Sequence, residues 1–243
     1  MSRAVSYPAG RPPATVQDAI RQVTLACRIL ARHGQEDLTL GHASVRGPDG
    51  RTVWIKRKGR ALRNVHAEDV IGIALDDQAG HLTPGAHLET IMHLETYRAR
   101  PDVGAVIHTH PVYSIALGVT TGGLELLSHD GLLFPDGVPV FDGTAGLVTT
   151  PREGQGVAAA LGGGRAVLLR NHGILAAGPD ISWAVLTALT LERAARIQFI
   201  ARTLGETVPI PREVAGDLSV SKYREEFTEE YWQDWCALLD RSA

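Results

Sequence analysis

Residues 89–110 read ETIMHLETYRARPDVGAVIHTH. Leu88, Ile91, Met92, Leu94 and Tyr97 recur at helical spacing, following Pro84-Gly85. The residue ahead of a proline avoids the helical region, so this helix should end before Arg100-Pro101. Val103, Ala105, Val106 and Ile107 then make a buried apolar strand that ends in His108-Thr109-His110. Strand side chains alternate, so the two histidines project the same way and can reach one metal ion at a strand end, where α/β sheets gather ligands. An isolated His-x-His is more often a chance pair with one ring buried and one exposed, so the rest of the chain has to carry the assignment. Glu89 and His93 lie at i and i+4 on one helix face. Two histidines at that spacing would mark a zincin; a glutamate and a histidine do not, and His93 is expected to pack or hydrogen-bond inside the fold.

Upstream, Thr15 followed by Asp18 resembles a capping box that opens a helix over about 15–33, with Gly34 as its stop. LTLGHASVR and RTVWIK flank the turn Gly47-Pro48-Asp49-Gly50 and predict a hairpin. Its second strand leads into Lys56-Arg57-Lys58-Gly59-Arg60, either a solvated charged loop or an anion-binding loop whose glycine lets backbone N–H groups approach a ligand. Residues 70–75 form a short strand. Residues 1–13, rich in proline and glycine, are expected to be a loose arm, and 14–243 one catalytic domain.

Downstream, a short helix should run from Pro111 to Ala116 and a strand over 124–127, before Ser128-His129-Asp130-Gly131. Residues 138–142 suit an edge strand because of Pro139. A short helix over 154–161 and a glycine turn precede a buried strand, 166–169, that delivers Arg170-Asn171-His172-Gly173. Asp180 or Ser182 caps a long helix over 183–204, with Leu186, Leu189, Ala194, Ile197, Ile200, Ala201 and Leu204 on its core face and Gly205 closing it. The aromatic tail from Ser219 reads as a helix on the surface or on a neighbouring subunit, or as a contributor to the site.

The 243 residues are 44% hydrophobic and 21% charged, enough for one large core. A formal net charge of −3 gives no footprint for nucleic acid or an anionic membrane. Two distant cysteines make neither a disulfide framework nor a zinc ribbon, and no stretch of 18 apolar residues offers a membrane span. A cytoplasmic protein is expected.

Taken together, Gly41-His42-Ala43-Ser44, Glu89 with His93 and Tyr97, RPDVGAVIHTHP and LLRNHG resemble the class II metal-dependent aldolases and their adducin-head relatives over roughly residues 15–205. The 19-residue step from Glu89 to His108 matches the aldolase pattern. The resemblance implies an α/β/α fold, three-layered around a mixed, largely antiparallel sheet. It also implies a homo-oligomer, usually a tetramer with active sites between subunits. His108, His110 and His172 would bind one divalent ion per subunit, zinc by default with manganese, cobalt, iron or magnesium as alternatives. Glu89 would be the acidic residue that ligates the resting metal and then transfers a proton. Adducin heads lack those ligands, so an enzyme is favoured over an interaction module.

Three substrate-facing positions depart from the sugar-phosphate aldolases. Their serine pair before the glutamate is His87-Leu88 here, their glycine-asparagine is Gly41-His42, and their acid tyrosine from a neighbouring subunit falls on His129. A leucine cannot bind phosphate, whereas histidines and the Lys56–Arg60 loop suit a carboxylate-rich, anionic small molecule. The pattern resembles the family's decarboxylases of hydroxylated aromatic or heteroaromatic acids, with an aldolase or epimerase as the alternative. The expected substrate contacts are His42, Ser44, Lys58, Gly59 and His87, with Glu89 and His129 as catalytic groups.

Overall fold

The computed structural model describes residues 10–240. Seven strands form one sheet: β1 (His42–Arg46), β2 (Thr52–Lys56), β3 (Val70–Ala74), β4 (Ala105–Thr109), β5 (Val140–Phe141), β6 (Ala166–Leu169) and β7 (Gly173–Gly178), in the order β3-β2-β1-β4-β7-β6-β5. Every pairing is antiparallel except β5 with β6. The helices are α1 (Val16–Arg32), α2 (Thr90–Ala99), α3 (Val112–Gly118), α4 (Pro151–Leu161), α5 (Ile181–Leu204), α6 (Arg212–Lys222) and α7 (Glu225–Asp240).

Alternation along the strands separates two cores. Ala43, Val45, Ala105, Ile107, Leu168 and Ile174 pack with α1 and α5 on one face. Val53, Ile55, Val106, Val167, Leu169 and Leu175 pack with Ile91 and Leu94 of α2 and Val157 and Leu161 of α4 on the other. Helices, sheet and helices make a three-layer α/β/α structure, as the resemblance implied. The parity also decides the chemistry, because His42, Ser44 and His108 share the face of Val106 and so point toward α2.

The capping box at Thr15 and Asp18 is present, each side chain bonding the other's backbone N–H at 3.1 Å. A second one, Thr150 with Glu153, starts α4 three residues earlier than 154. Asp180 rather than Ser182 caps α5, its carboxylate accepting from Trp183 N–H at 3.1 Å.

Several expectations are corrected. Residues 124–127 form no strand; Leu124 and Leu126 are buried, but the backbone finds no ladder, and Leu126 O accepts instead from Ile210 N–H. Helix α2 starts only at Thr90, with Glu89 at its N-cap, which turns Leu88 away from the core and leaves it exposed. Ile200 and Leu204, expected on the core face of α5, are exposed. Of the N-terminal arm, residues 1–9 lie outside the described residues. Arg11 runs along the chain's own surface, its N–H donating to Asp180 at 2.9 Å and its guanidinium pairing with Glu225 at 3.2 Å. The aromatic tail is helical, and Tyr223, Trp232 and Trp235 pack on the core beside α1 and α5.

Candidate metal centre and active site

Strand β4 ends at Thr109, placing His108 on the ladder opposite His42 and His110 one residue beyond the strand. His172 sits in the tight β6–β7 turn, where its N–H donates to Leu169 O at 3.0 Å and Asn171 takes the left-handed conformation, φ 58°, that asparagine tolerates. Gly173 follows because a Cβ there would lie 2.5 Å from Thr109 O and 2.8 Å from the His110 ring. Glu89 arrives from the N-cap of α2, its Oε1 accepting from Val148 N–H at 3.0 Å.

One donor atom from each of Glu89, His108, His110 and His172 lies within 4.8 Å of all the others. Hydrogen bonds fix what those atoms are. His108 Nδ1–H donates to Ile174 O at 2.8 Å, and His110 Nδ1–H donates to the Asp37 carboxylate at 3.1 Å. Each ring therefore presents an Nε2 lone pair, and the two Nε2 atoms are 3.0 Å apart. Among the described residues the buried His172 Nε2 has no hydrogen-bond partner, and Glu89 Oε2 stands 3.5 Å from both His108 Nε2 and His172 Nε2. Lone pairs and a carboxylate converging in a buried site repel one another unless a cation lies among them, so these residues fit a divalent metal. Imidazoles and a carboxylate suit zinc and its first-row neighbours, and Asp37 behind His110 is the outer carboxylate such sites use.

Burial, then the neighbouring imidazoles of His108 and His172, lowers His110 to about 4, which keeps it neutral for ligation. Burial alone would raise the Glu89 carboxyl; protons on the facing Nε2 atoms of His108 and His172 would outweigh it and hold the group well below the usual carboxylate range, and with those lone pairs bare a bound cation would take over that part. Glu89 is thus ionised at rest and must take up a proton before it can give one.

Beside this centre lies a cavity of about 220 Å³, lined among others by His42, Lys58, Gly59, His87, Glu89 and His110, with Leu40, Leu88 and Leu147 as apolar walls. Four of the five sequence-expected substrate contacts meet there: His42, Lys58, Gly59 and His87. Ser44 does not line it; the serine is fully buried, with its hydroxyl 2.7 Å from His93 Nδ1 and 2.9 Å from Tyr97 OH. His129 is exposed and also absent from the cavity wall; its carbonyl accepts from Tyr223 OH at 3.0 Å and from Leu132 N–H at 3.3 Å. His93 has the internal role expected of it, bridging Ser44 and His42.

Sequence reasoning missed Lys56. It belongs to the end of β2, not to the charged loop, and is fully buried. Its ammonium donates to Thr39 O and Gly41 O at 3.0 Å each and to His87 Nε2 at 3.2 Å. Burial lowers it to about 8, and burial together with this ammonium lowers His87 to about 3. His87 is therefore a neutral ring near pH 7 rather than a proton donor. The available signal was the alternation of Val53, Ile55 and the residues between them, which does not reveal that three acceptors await a lysine.

The family model "Class II Aldolase and Adducin N-terminal domain" matches residues 21–199. The chain belongs to that family. Among class II aldolase relatives, a 4-hydroxy-3-prenylphenylpyruvate oxygenase/4-hydroxy-3-prenylbenzoate synthase of Streptomyces roseochromogenus subsp. oscitans is 32% identical over 197 residues, 79% of this chain and 70% of that protein. A 3,4-dihydroxyphthalate decarboxylase of Arthrobacter keyseri is 31% identical over 206 residues, covering 79% and 82%. An L-fuculose 1-phosphate aldolase from Glaciozyma antarctica PI12 superposes with a TM-score of 0.78 at 24% identity, over 92% of this chain and 88% of that one, which shows the shared class II aldolase fold.

Proposed function

We propose that this protein is a divalent-metal-dependent carbon–carbon lyase that decarboxylates a non-phosphorylated hydroxy-aromatic or heteroaromatic acid. The observation that carries it is the cavity itself: leucine walls suited to a flat ring, with Glu89 and His110 of the candidate metal set in its lining together with His42, His87 and Lys58. The 31% identity to a dihydroxyphthalate decarboxylase supports the same chemistry.

His108, His110 and His172 would hold the ion, with Glu89 as a fourth, releasable ligand. Bound there, a divalent ion supplies a Lewis acid that stabilises negative charge on the substrate's oxygens. The chain supplies the rest. Lys58 and the Gly59 backbone bind a second carboxylate, His42 donates a hydrogen bond, and Leu40, Leu88 and Leu147 exclude water from the ring. Glu89, ionised at rest, accepts the proton of the substrate hydroxyl. Glu89 then gives that proton to the ring carbon that bears the carboxylate, the phenolate supplying the electron pair for the new C–H bond; the C–C bond breaks, CO2 leaves, and its electron pair flows back through the ring to the oxygen. The product hydroxyl is reprotonated from solvent. His129 is the alternative donor, supplied from a neighbouring subunit of a homotetramer.

The same reading includes zinc or manganese as the metal, a cytoplasmic location, residues 14–243 as one catalytic domain behind an arm over 1–13, and no nucleic-acid or membrane partner. Light scattering at dilute concentration tests the tetramer, and a fully active monomer would remove the role given to His129.

The aldolase alternative draws on Lys58 and Gly59, which line the cavity and could take a phosphate where the serine pair is lost. Two assays on metal-loaded protein decide: CO2 release from hydroxylated phthalates and pyridine dicarboxylates, and aldehyde release from ketose phosphates. Cleavage of a ketose phosphate with no CO2 from any acid would overturn the decarboxylase.

A further inference from the structure

Between the sheet and α2 runs a buried chain of polar groups that no metal or substrate contact explains. Tyr97 OH lies 2.9 Å from Ser44 Oγ, Ser44 Oγ lies 2.7 Å from His93 Nδ1, and His93 Nε2 lies 2.8 Å from His42 Nδ1. Tyr97, Ser44, His93 and His42 are all 1% exposed or less, yet the His42 ring lines the cavity. The chain thus starts deep in the protein and ends at the cavity.

Its direction follows from donor counting. The Tyr97 hydroxyl carries a proton, which burial holds more firmly than in an ordinary phenol; among the described residues its hydrogen-bonding side-chain neighbour is Ser44, and the Val106 backbone, whose contact favours the phenol oxygen as an acceptor, lies against it. If the chain ran outward from His42 to Tyr97, Ser44 would donate to the phenol, and the phenol proton would be left buried without that acceptor. Running from Tyr97, every short contact is used: Tyr97 O–H donates to Ser44, Ser44 O–H to His93 Nδ1, and His93 Nε2–H to His42 Nδ1. The competing acceptor for Ser44, Val106 O, is at a long 3.5 Å. The Tyr97 ring is itself held, with the Arg46 guanidinium 4.9 Å from its centroid.

We propose that Tyr97, Ser44 and His93 are positioning residues that lock His42 as the Nε2–H tautomer, so that it offers the cavity a fixed hydrogen-bond donor for a carboxylate or phenolic oxygen. This rests on the proposed reaction only for the identity of the acceptor. It assigns Ser44 to the support of the site instead of to substrate contact.

The test is the proton's position. In zinc-loaded protein labelled with ¹⁵N-histidine, two-bond ¹H–¹⁵N correlation separates the two neutral tautomers, and both His42 and His93 should carry the proton on Nε2. Tyr97→Phe removes the head donor and should give His42 a mixture of tautomers, with affinity for salicylate, used as a hydroxy-acid probe, falling about fivefold to tenfold. Ser44→Ala should do the same and serves if Tyr97→Phe does not fold. His42 protonated on Nδ1 in the parent protein overturns the proposal, as do variants that keep the Nε2–H tautomer and the parent affinity. The tautomer needs no turnover, so a protein that shows it while releasing no CO2 from any acid overturns the decarboxylase and leaves the relay standing.

Discussion

The Nε2 atoms of His108 and His110 face each other at 3.0 Å while each ring donates its other N–H away from the site, to Ile174 O and to Asp37. Two lone pairs are held together by the fold before any ligand arrives. His172→Ala removes a third donor from that set and should weaken zinc binding at least ~100-fold, with the far-ultraviolet circular dichroism unchanged. Metal content after dialysis measures it; a variant that keeps the parent stoichiometry refutes the ligand set.

Asp37 fixes the His110 tautomer through one partly exposed hydrogen bond of 3.1 Å. Asp37→Ala should weaken metal binding by about 10–100-fold without removing a ligand. Competition with a chelator gives the number, and Asp37→Asn, which keeps an acceptor for Nδ1–H, should recover part of the loss. Equal losses in the two variants would contradict the tautomer argument.

Glu89 combines a ligand position with proton transfer. Glu89→Gln keeps the size and the acceptor for Val148 N–H but cannot cycle a proton, so kcat should fall by about 10²–10⁴-fold with a much smaller change in KM. A loss confined to KM would assign Glu89 to substrate binding alone.

His87, lowered to about 3 by burial and the Lys56 ammonium, makes the metal-free protein acid-sensitive. Unfolded, the ring titrates near 6.5, so below that pH the unfolded chain binds a proton that the native chain refuses. The stability this neutral ring contributes is intact above pH 6.5 and is lost as pH falls toward 3. Near pH 5 the slope attributable to His87 approaches about 1.4 kcal/mol per pH unit. Urea unfolding across pH 6.5 to 4 should show a shallower decline in His87→Gln than in the parent, and identical slopes would show that His87 is protonated in the native state.

Much of the fold was legible because it is set by neighbours in the chain. The Thr15–Asp18 capping box, the Arg100-Pro101 stop and the Gly47–Gly50 turn depend on contacts within a few residues, and each lies where the sequence puts it. The period-2 alternation places His108 on the α2 side, with His110 just beyond the strand, although it says nothing of what waits there. Local rules failed where an apolar run lacked a partner, as at 124–127, where burial came without a ladder. They failed again at Leu88, which the helical spacing put on the buried face but which lies two residues ahead of the start of α2 at Thr90.

The sequence by itself determined most of the strands and helices, because backbone sterics and side-chain alternation act over short separations along the chain; the set Glu89, His108, His110 and His172 came from the resemblance to the class II aldolases, and the fold brings those four side chains together. Only the tertiary structure decided that Lys56 is a buried cation bound to His87, and that Ser44 joins His93 behind His42 instead of lining the cavity. Those assignments depend on donors and acceptors brought together from β1, β2 and α2. A polar group's role inside a protein is fixed by the partner that satisfies it, and here the partners Ser44 and His93 lie 49 residues apart along the chain.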